Sequence, residues 1–291
     1  MLAAPWAAPV HYPKDLDPAL LDRQDRIDRI VARVVATPMS GPDAVDVWCL
    51  QEVTAPELVA LCEALCRAAS ATSATSAYTR LHAENGSEYW LNWLGEGVPW
   101  EVNGPAIIVR SQAFEGVELS ELHLDDCGNA AAMMTAKHRA SNSLVRCVSV
   151  HLDADDHAVR ARELRSLLAQ LNDGAEQSRH THTIIAGDFN SDTQTGEIAE
   201  LLAGAGFVDA HSVCGQLDPT HPYARPGDGH AALARIDHIM VRFAANAGAS
   251  VRATEVHDEG VWNVETPGSR LIEHLRITGT DHLRIAATLQ L

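Results

Sequence analysis

The segment HTIIAGDFNSDT, at residues 182–193, joins an apolar run to a polar end. Its first half predicts a buried strand, which continues directly into the tetrapeptide GDFN. Because side chains alternate along a strand, Asp188 and Asn190 are expected on one face and Phe189 on the other, as an anchor in the core. A carboxylate beside a carboxamide at the end of a core strand favours a functional site, although an Asx-type turn would explain the same residues.

The composition allows a large core in a chain of 291 residues, of which 46% are hydrophobic. We expect a single domain over residues 1–291, because folds with two sheets often reach this size and no internal repeat is visible. The formal charge is −17, and the basic cluster at 160–165 has the spacing of a solvated helical face. The lack of a basic stripe disfavours a protein that grips long duplex nucleic acid, and the acidity favours a small or locally bound substrate with a divalent cation. A nuclease with a local basic groove stays open.

The cysteines and the N-terminus bear on the cellular compartment. Six cysteines are scattered along the chain, and Cys62 and Cys66 have the i,i+4 spacing of helix packing, without the partners that a zinc site needs. The first ten residues lack the basic region of a secretory signal, and no apolar run reaches the length of a membrane span. We therefore expect a reduced, cytoplasmic protein without a membrane partner, and no protein partner is predicted.

Strands and helices follow one another irregularly. Helices are predicted after Thr54, where Thr54–Glu57 has the spacing of a capping box, after the N-cap Asp156, and near 195–203. Strands are predicted at 44–53, 105–110, 130–139, 143–153, before GDFN, at 234–242 and at the C-terminal end. This order fits two packed sheets with helices outside better than one doubly wound parallel sheet.

Further polar residues stand at strand ends or inside a strand. Glu52 follows an apolar strand, where the start of a helix is the common explanation, and His151 follows the run VSV, where a structural histidine is common. Asp237 lies in the middle of the predicted strand that contains RIDHI, so its carboxylate needs a partner. Asp281 and His282 immediately precede the last strand, where a simple turn is the alternative.

The motifs LQEV, SVHLD, GDFNSD, RIDHI and TDH occur in an order that resembles the endonuclease/exonuclease/phosphatase superfamily, the group of DNase I, apurinic endonucleases, inositol-polyphosphate phosphatases and deadenylases. The resemblance spans residues 45–291. Each motif alone is weak, but five in one order make coincidence improbable. The resemblance implies an α/β fold, namely a four-layer α/β/β/α sandwich with two packed mixed β-sheets and the site at one edge of the sheets.

The resemblance also implies how metal and water are held. Glu52 would ligate Mg²⁺, with Mn²⁺ as the alternative ion, helped by Asp281 or by water. Asp188 would orient and activate the attacking water, and Asn190 would hold a phosphate oxygen. These roles agree with the chemistry, because Mg²⁺ needs only one or two carboxylates and keeps several waters, while water attacks the phosphate in line.

The remaining roles implied by the resemblance concern the phosphate. Asp237 would pair with His282, and His282 and His151 would contact the scissile phosphate. An Asp–His pair fixes the imidazole tautomer and favours its cationic form, which strengthens its contact with a phosphate. The pair would also supply the partner that Asp237 requires.

The resemblance is incomplete at the N-terminus. Family members typically begin with a strand that ends in a metal-binding Asn, and no such strand precedes Glu52. The opening MLAAPWAAPVHYPKDLD resembles the loop that follows this Asn in some deadenylase-like members. We therefore expect the first strand to be missing and Mg²⁺ binding to be weakened. Asn103, in VNGPAIIVR, stands near a strand that often borders the site, and it is a candidate substrate contact.

The expected function is a Mg²⁺-dependent phosphoesterase that hydrolyses a phosphate ester or phosphodiester by direct attack of water. The acidity favours a nucleotide-type or other small phosphorylated substrate. A nuclease on single-stranded DNA or RNA is the alternative, and the deadenylase-like opening supports an RNA or nucleotide substrate. An alternative of another class is a catalytically impaired binding module.

Overall fold

The structure is a computed structural model that describes residues 17–37, 44–70, 78–82, 103–124, 129–173, 181–220, 235–245, 247–257, 282 and 284–291. Its helices are a short 3-10 helix at Pro18–Leu21, α1 (Arg23–Val35), α2 (Ala55–Ser70), α3 (His157–Asn172), α4 (Gly196–Gly204) and α5 (Ala210–Val213). Its strands are β1 (Val47–Thr54), β2 (Tyr78–His82), β3 (Asn103–Arg110), β4 (Phe114–His123), β5 (Ala130–His138), β6 (Leu144–His151), β7 (Thr181–Asp188), β8 (Val208–Asp209), β9 (Asp237–Arg242), β10 (Ser250–His257) and β11 (Arg284–Gln290). None of the described helices is both long enough and apolar enough to span a bilayer.

The larger sheet is mixed and has six strands in the order β4-β5-β6-β7-β9-β8. All neighbouring strands are antiparallel except β6 and β7, which are parallel. Parallel neighbours need a crossover connection, and α3 lies in the segment between β6 and β7. The smaller sheet is antiparallel, in the order β1-β3-β2, and β10 pairs with β11 separately.

The two sheets pack face to face around an apolar core. Ile107 and Val109 of β3 lie in one buried cluster with Met134 of β5 and Cys147 of β6. Strands β3 and β6 belong to different sheets, so this cluster is the inner core of the sandwich.

Helices cover the outer face of each sheet. Leu61 and Leu65 of α2 are buried in a cluster with β1 and β3, together with residues of α1. Leu164 and Leu167 of α3 are buried against β6 and β7, where Ile185 is fully enclosed. The predicted four-layer α/β/β/α sandwich is thus confirmed.

Two predicted helix starts are confirmed by hydrogen bonds. The Thr54 backbone N–H donates to Oε2 of Glu57 at 2.9 Å, which is one half of a capping box. The carboxylate of Asp156 accepts the N–H groups of Ala158 and Val159, at 2.7 and 3.3 Å. Both helices therefore begin directly after the strand or loop that leads to the site.

Two local predictions need correction. Asp237 is the first residue of β9 and does not lie in mid-strand. The strand is delayed because Oγ1 of Thr220 accepts the N–H groups of Ile236 and Asp237 at 3.2 and 3.0 Å. Strand β1 covers Val47–Thr54, so Glu52 lies inside the strand and not at its end. The α-helices and strands that were not predicted from the sequence are α1, α5, β2, β4, β8 and β10.

Candidate active site

One edge of the six-stranded sheet gathers three of the expected site residues. Strand β6 ends at His151, β7 ends at Asp188 and β9 begins at Asp237. His151 lies opposite Asp188 in the register, and Asp188 lies opposite Asp237. Paired residues on neighbouring strands project their side chains from the same face of a sheet. The three polar side chains therefore form a row across three strands.

His282 completes this cluster from the segment before β11. Its Nδ1 lies 2.9 Å from Oδ2 of Asp237, and its Nε2 lies 3.8 Å from Oδ2 of Asp188. His151 Nε2 approaches the same oxygen of Asp188, also at 3.8 Å. Two imidazoles thus flank Asp188, and the hydrogen bond to His282 gives Asp237 the partner that its burial requires.

Asn190 joins the cluster through a turn, and the expected alternation along the strand does not apply to it. The strand ends at Asp188, and Asn190 has a left-handed backbone with φ of 47°. Its backbone N–H donates to Oδ1 of Asp188 at 2.7 Å, as in an Asx turn, and its Nδ2 donates to the carbonyl of Leu152 at 2.9 Å. Phe189 is fully buried, as expected. The Asx turn and the candidate site are therefore the same structure.

Glu52 lies in a β-bulge of β1. Leu50 pairs with Ala106 and Val53 pairs with Gly104, so two residues of β1 face a single residue of β3. Glu52 has a φ of 52°, in the left-handed region. Bulges re-aim side chains and are common beside active sites. The charge of Glu52 acts on His151 of the other sheet.

A polar link joins the two sheets directly beneath these residues. Gln51 Nε2 donates to Oγ of Ser149 at 3.1 Å, and this hydroxyl donates to the carbonyl of Leu50 at 3.0 Å. Gly187 has a φ of 149°, and a Cβ placed there would lie 2.0 Å from the carbonyl oxygen of Val150. The glycine of GDFN is therefore required by the close approach of β6.

The two central ionisable groups have shifted pKa values in opposite directions. Burial and the neighbouring Asp237 raise the pKa of Asp188 to about 7, against the opposing effect of His282. Burial lowers the pKa of His151, and the charge of Glu52 partly opposes this. Such perturbed groups, clustered at a sheet edge, are typical of functional sites.

The cluster has a donor set that suits a divalent cation. Asp188, Asp237 and His282 each offer one ligand atom, and these atoms lie within 4.8 Å of one another. Two buried carboxylates this close repel each other, and a cation would relieve that repulsion. The group offers two carboxylate oxygens and one imidazole nitrogen, and carboxylate oxygens suit a hard ion such as Mg²⁺. Glu52, the expected ligand of Mg²⁺, is not one of these three residues.

Two further residues, Asn103 and Asp281, were expected in the site. Asn103 is buried at the start of β3, opposite Thr54. Its contact with substrate remains a prediction. Asp281 lies outside the described residues, so its role as a metal ligand also remains a prediction.

The sequence analysis did not identify two residues that position the site through hydrogen bonds but have no proposed role in the reaction. Thr220 caps the start of β9, and Ser149 links the two sheets. Gln51, the partner of Ser149, could have been identified from the sequence, because it stands next to Glu52 in the motif LQEV. Thr220 lies in a polar loop and gave no signal.

These features define a class: an α/β/β/α sandwich of the DNase I type with a buried acid–histidine cluster at one sheet edge. The chain belongs to the endonuclease/exonuclease/phosphatase family, whose sequence model matches residues 16–282. Members of this superfamily are phosphoesterases or nucleases, which supports hydrolase activity.

Solved structures share this fold at low sequence identity. ANGEL2, described as a 2',3'-cyclic phosphatase, has a TM-score of 0.66 and 15% identity, over 99% of this chain and 92% of that chain. An endonuclease/exonuclease/phosphatase from Bacteroides vulgatus has a TM-score of 0.64 and 17% identity, over 97% and 96%. TDP2 of D. rerio, complexed with a single-stranded DNA product, has a TM-score of 0.58 and 16% identity, over 94% and 95%. No functionally curated protein matches the chain by sequence.

Proposed function

We propose that this protein is a Mg²⁺-dependent phosphoesterase that hydrolyses a phosphate ester or phosphodiester by direct attack of water. The observation that supports this most is the row of His151, Asp188 and Asp237, closed by His282 at 2.9 Å from Asp237. We also propose that residues 1–291 form one catalytic domain, which the family match over 16–282 supports.

In this proposal Asp188 orients the attacking water and accepts its proton. A pKa of about 7 suits a general base that works near neutrality. Asn190 has two hydrogens on Nδ2, of which one is donated to Leu152 and the other is left for a phosphate oxygen. The new bond from water oxygen to phosphorus forms as the ester P–O bond breaks.

The histidines bind the phosphate that is cleaved. Asp237 accepts from Nδ1 of His282, which fixes the orientation of this imidazole, and Nε2 on its other side is proposed to donate to a phosphate oxygen. His151 contacts the same phosphate from the other side of Asp188. Both contacts stabilise the negative charge that develops on the phosphate oxygens in the transition state.

Glu52, with help from Asp281, would hold Mg²⁺ or alternatively Mn²⁺. A cation held there would supply neutralisation of the charge on the non-bridging oxygens of the phosphate. The fit rests on the oxygen donors of the site and on the bulge that turns Glu52 out of the regular ladder of β1. Asn103, beside β1, is proposed to contact the substrate.

The net charge of −17 supports a nucleotide-type or other small phosphorylated substrate, because a long polyanion would be repelled. The description of ANGEL2 as a 2',3'-cyclic phosphatase agrees with this choice. A nuclease on single-stranded DNA or RNA is the second candidate, which the single-stranded DNA product bound to D. rerio TDP2 favours.

The test is release of phosphate or nucleotide from a panel of single-stranded RNA and DNA, nucleotides, cyclic nucleotides and sugar phosphates, with Mg²⁺ and with EDTA. Release should require the metal and should vanish in Asp188→Ala, while Glu200→Ala, an exposed acid on α4, should behave as wild type. The best substrate then identifies the subclass. If no substrate of the panel is hydrolysed although some of them bind, the alternative of a catalytically impaired binding module is favoured instead.

A further inference from the structure

Behind the site, on the far side of the GDFN turn, lies a buried carboxylate that the proposed reaction does not use. Asp209, the last residue of β8, is 5% exposed. Its Oδ2 lies 3.0 Å from Nδ1 of His238, 3.1 Å from Oγ1 of Thr193 and 2.8 Å from Arg235. Its Oδ1 accepts the backbone N–H of His211 at 2.9 Å. Burial alone would raise the pKa of Asp209, but the hydrogen bonds and charges of His238 and Arg235 outweigh it and hold this pKa well below its usual range.

His238 connects this carboxylate to the catalytic turn. It follows Asp237 on β9, so its side chain projects from the opposite face of the sheet. Its Nε2 lies 3.0 Å from the carbonyl oxygen of Ser191 and must donate to it, because a carbonyl can only accept. Its ring also meets the ring of Phe189 edge-on, at 5.6 Å between centroids. His238 therefore contacts the residues on both sides of Asn190.

Several contacts hold the turn in place. Asn190 has a left-handed backbone, which is uncommon outside glycine, although asparagine adopts it more readily than most residues. Hydrogen bonds on both sides of Asn190 restrict this conformation further. Phe189 N–H donates to the Ile236 carbonyl at 2.8 Å on one side of Asn190, and Thr193 is tied to Asp209 on the other.

We propose that Asp209 and His238 are positioning residues, which hold the segment 189–193 so that Asp188 and Asn190 face the reacting phosphate. This inference rests on the proposed function, and it adds a second layer of residues behind the site. Outer partners of this kind typically change activity by about 10- to 100-fold when they are removed. A misplacement of a catalytic group by about 1 Å is enough for a loss of this size.

A purely structural role for the same network would lower stability and leave the turnover of the folded enzyme unchanged. The matched control is therefore Arg242→Gln, at the opposite end of β9. Arg242 donates to Oδ1 of Asn172 at 2.8 Å and to the Ala205 carbonyl at 3.1 Å, so its loss also removes polar contacts of β9. Arg242 lies five residues from Asp237, at the opposite end of strand β9.

The experiment compares wild type, Asp209→Asn, His238→Gln and Arg242→Gln by two measurements. Hydrogen exchange followed by mass spectrometry on the peptide covering 186–195 reports the turn without any substrate. Steady-state kinetics on the best panel substrate, well below the thermal midpoint of each variant, reports catalysis. We expect faster exchange in this peptide and a kcat lower by about 10- to 100-fold in both network variants, with KM within about threefold, and neither change in Arg242→Gln.

Unchanged exchange in 186–195, or a kcat loss that Arg242→Gln shares, would overturn the inference. Thr193→Val and Thr193→Ser provide a milder pair, because only the serine keeps the hydroxyl that donates to Asp209. We expect Thr193→Ser to retain the wild-type kcat and Thr193→Val to have a lower kcat. If the wild type hydrolyses nothing in the panel, the proposed function fails, and the exchange measurement alone decides whether the network holds the turn.

Discussion

Asp188 lies between His151 and Asp237, and its surroundings disfavour its charged form. Burial and the Asp237 carboxylate raise its pKa from 3.8 to about 7. The unfolded chain keeps the lower value, so between these pH values the native state binds a proton that the unfolded state has lost. Stability therefore decreases as the pH rises through this window, and the full loss of stability is reached above about pH 7. The same carboxylate that is proposed to activate water thus destabilises the fold near neutrality.

Asp188→Asn should accordingly raise the thermal midpoint at about pH 8 in EDTA, by roughly 2–5 °C, because it removes a buried charge. The gain should shrink as the pH falls towards 4, where Asp188 is protonated in the native state and increasingly so in the unfolded chain. Hydrolysis should be lost at every pH. Differential scanning fluorimetry across the pH range measures this, with Glu200→Gln as an exposed control. A lower midpoint of Asp188→Asn at about pH 8 would contradict the argument.

Gly187 is the residue at which backbone space matters most. Gly187→Ala would place a Cβ 2.0 Å from the Val150 carbonyl oxygen and 2.9 Å from Gln51 Nε2, at a φ of 149°. We expect the free energy of unfolding to fall by about 3 kcal/mol, because neither strand can move without disturbing the site. Gly116 has a φ of 60° but open space around it, so Gly116→Ala should lower the free energy of unfolding by about 1 kcal/mol. Urea denaturation measures both, and equal losses would mean that β6 yields to the added methyl group.

At the scale of elements, the sequence predicted those elements that have a strong local signal. Strands β3, β5 and β6 are runs of apolar residues, and all three were foreseen within a few residues. Helix α3 was foreseen from its N-cap Asp156 and from the leucines at helical spacing, and it ends at Asn172. Local chemistry determines these elements, so they are readable without knowledge of the fold.

Elements that depend on distant partners were not readable. Strand β4 exposes many of its side chains and has no apolar run, so it forms because β5 offers a pairing edge. The bulge at Glu52 depends on pairing with β3, and the start of β9 at Asp237 depends on Thr220. Asn190 leaves the strand because its own N–H turns back to Asp188. The residue types of the candidate site were therefore evident in the sequence, whereas their geometry was not.

The junction of β1 and α2 gives a test at this scale. Glu57 is buried, accepts the Thr54 N–H at 2.9 Å and lies 3.7 Å from Arg23 of α1. Glu57→Ala leaves that N–H unsatisfied in the outer core, and we expect a loss of about 2 kcal/mol in the free energy of unfolding. Glu63→Ala, on the same helix, removes only an exposed i,i+4 pair with Arg67 and should change stability by less than about 0.5 kcal/mol. Chemical denaturation with equal m-values distinguishes the two, and a similar loss in both variants would refute this role of Glu57.

At the scale of the whole molecule, the candidate site forms only where the two sheets meet. The six-stranded sheet contributes His151, Asp188 and Asp237, and the smaller sheet contributes Glu52. The hydrogen bond from Gln51 to Ser149 fixes one sheet against the other at this edge. A loosened sandwich would therefore separate the carboxylate proposed to bind metal from the groups proposed to act on the phosphate, even with every side chain intact.

The charge of the molecule determines how anionic substrates reach this edge. With a formal charge of −17, the protein repels a single-stranded oligonucleotide at long range, and salt screens that repulsion within about 10 Å at 0.1 M. We expect kcat/KM for an oligonucleotide to rise by about 2- to 5-fold between about 10 and about 150 mM NaCl at saturating Mg²⁺, the opposite of a nuclease that binds phosphates through a basic groove. A phosphodiester with a single negative charge is the control and should respond less, because the repulsion grows with the charge of the substrate. A falling kcat/KM for the oligonucleotide would indicate a local basic groove that outweighs the net charge, and it would shift the choice of substrate towards single-stranded nucleic acid.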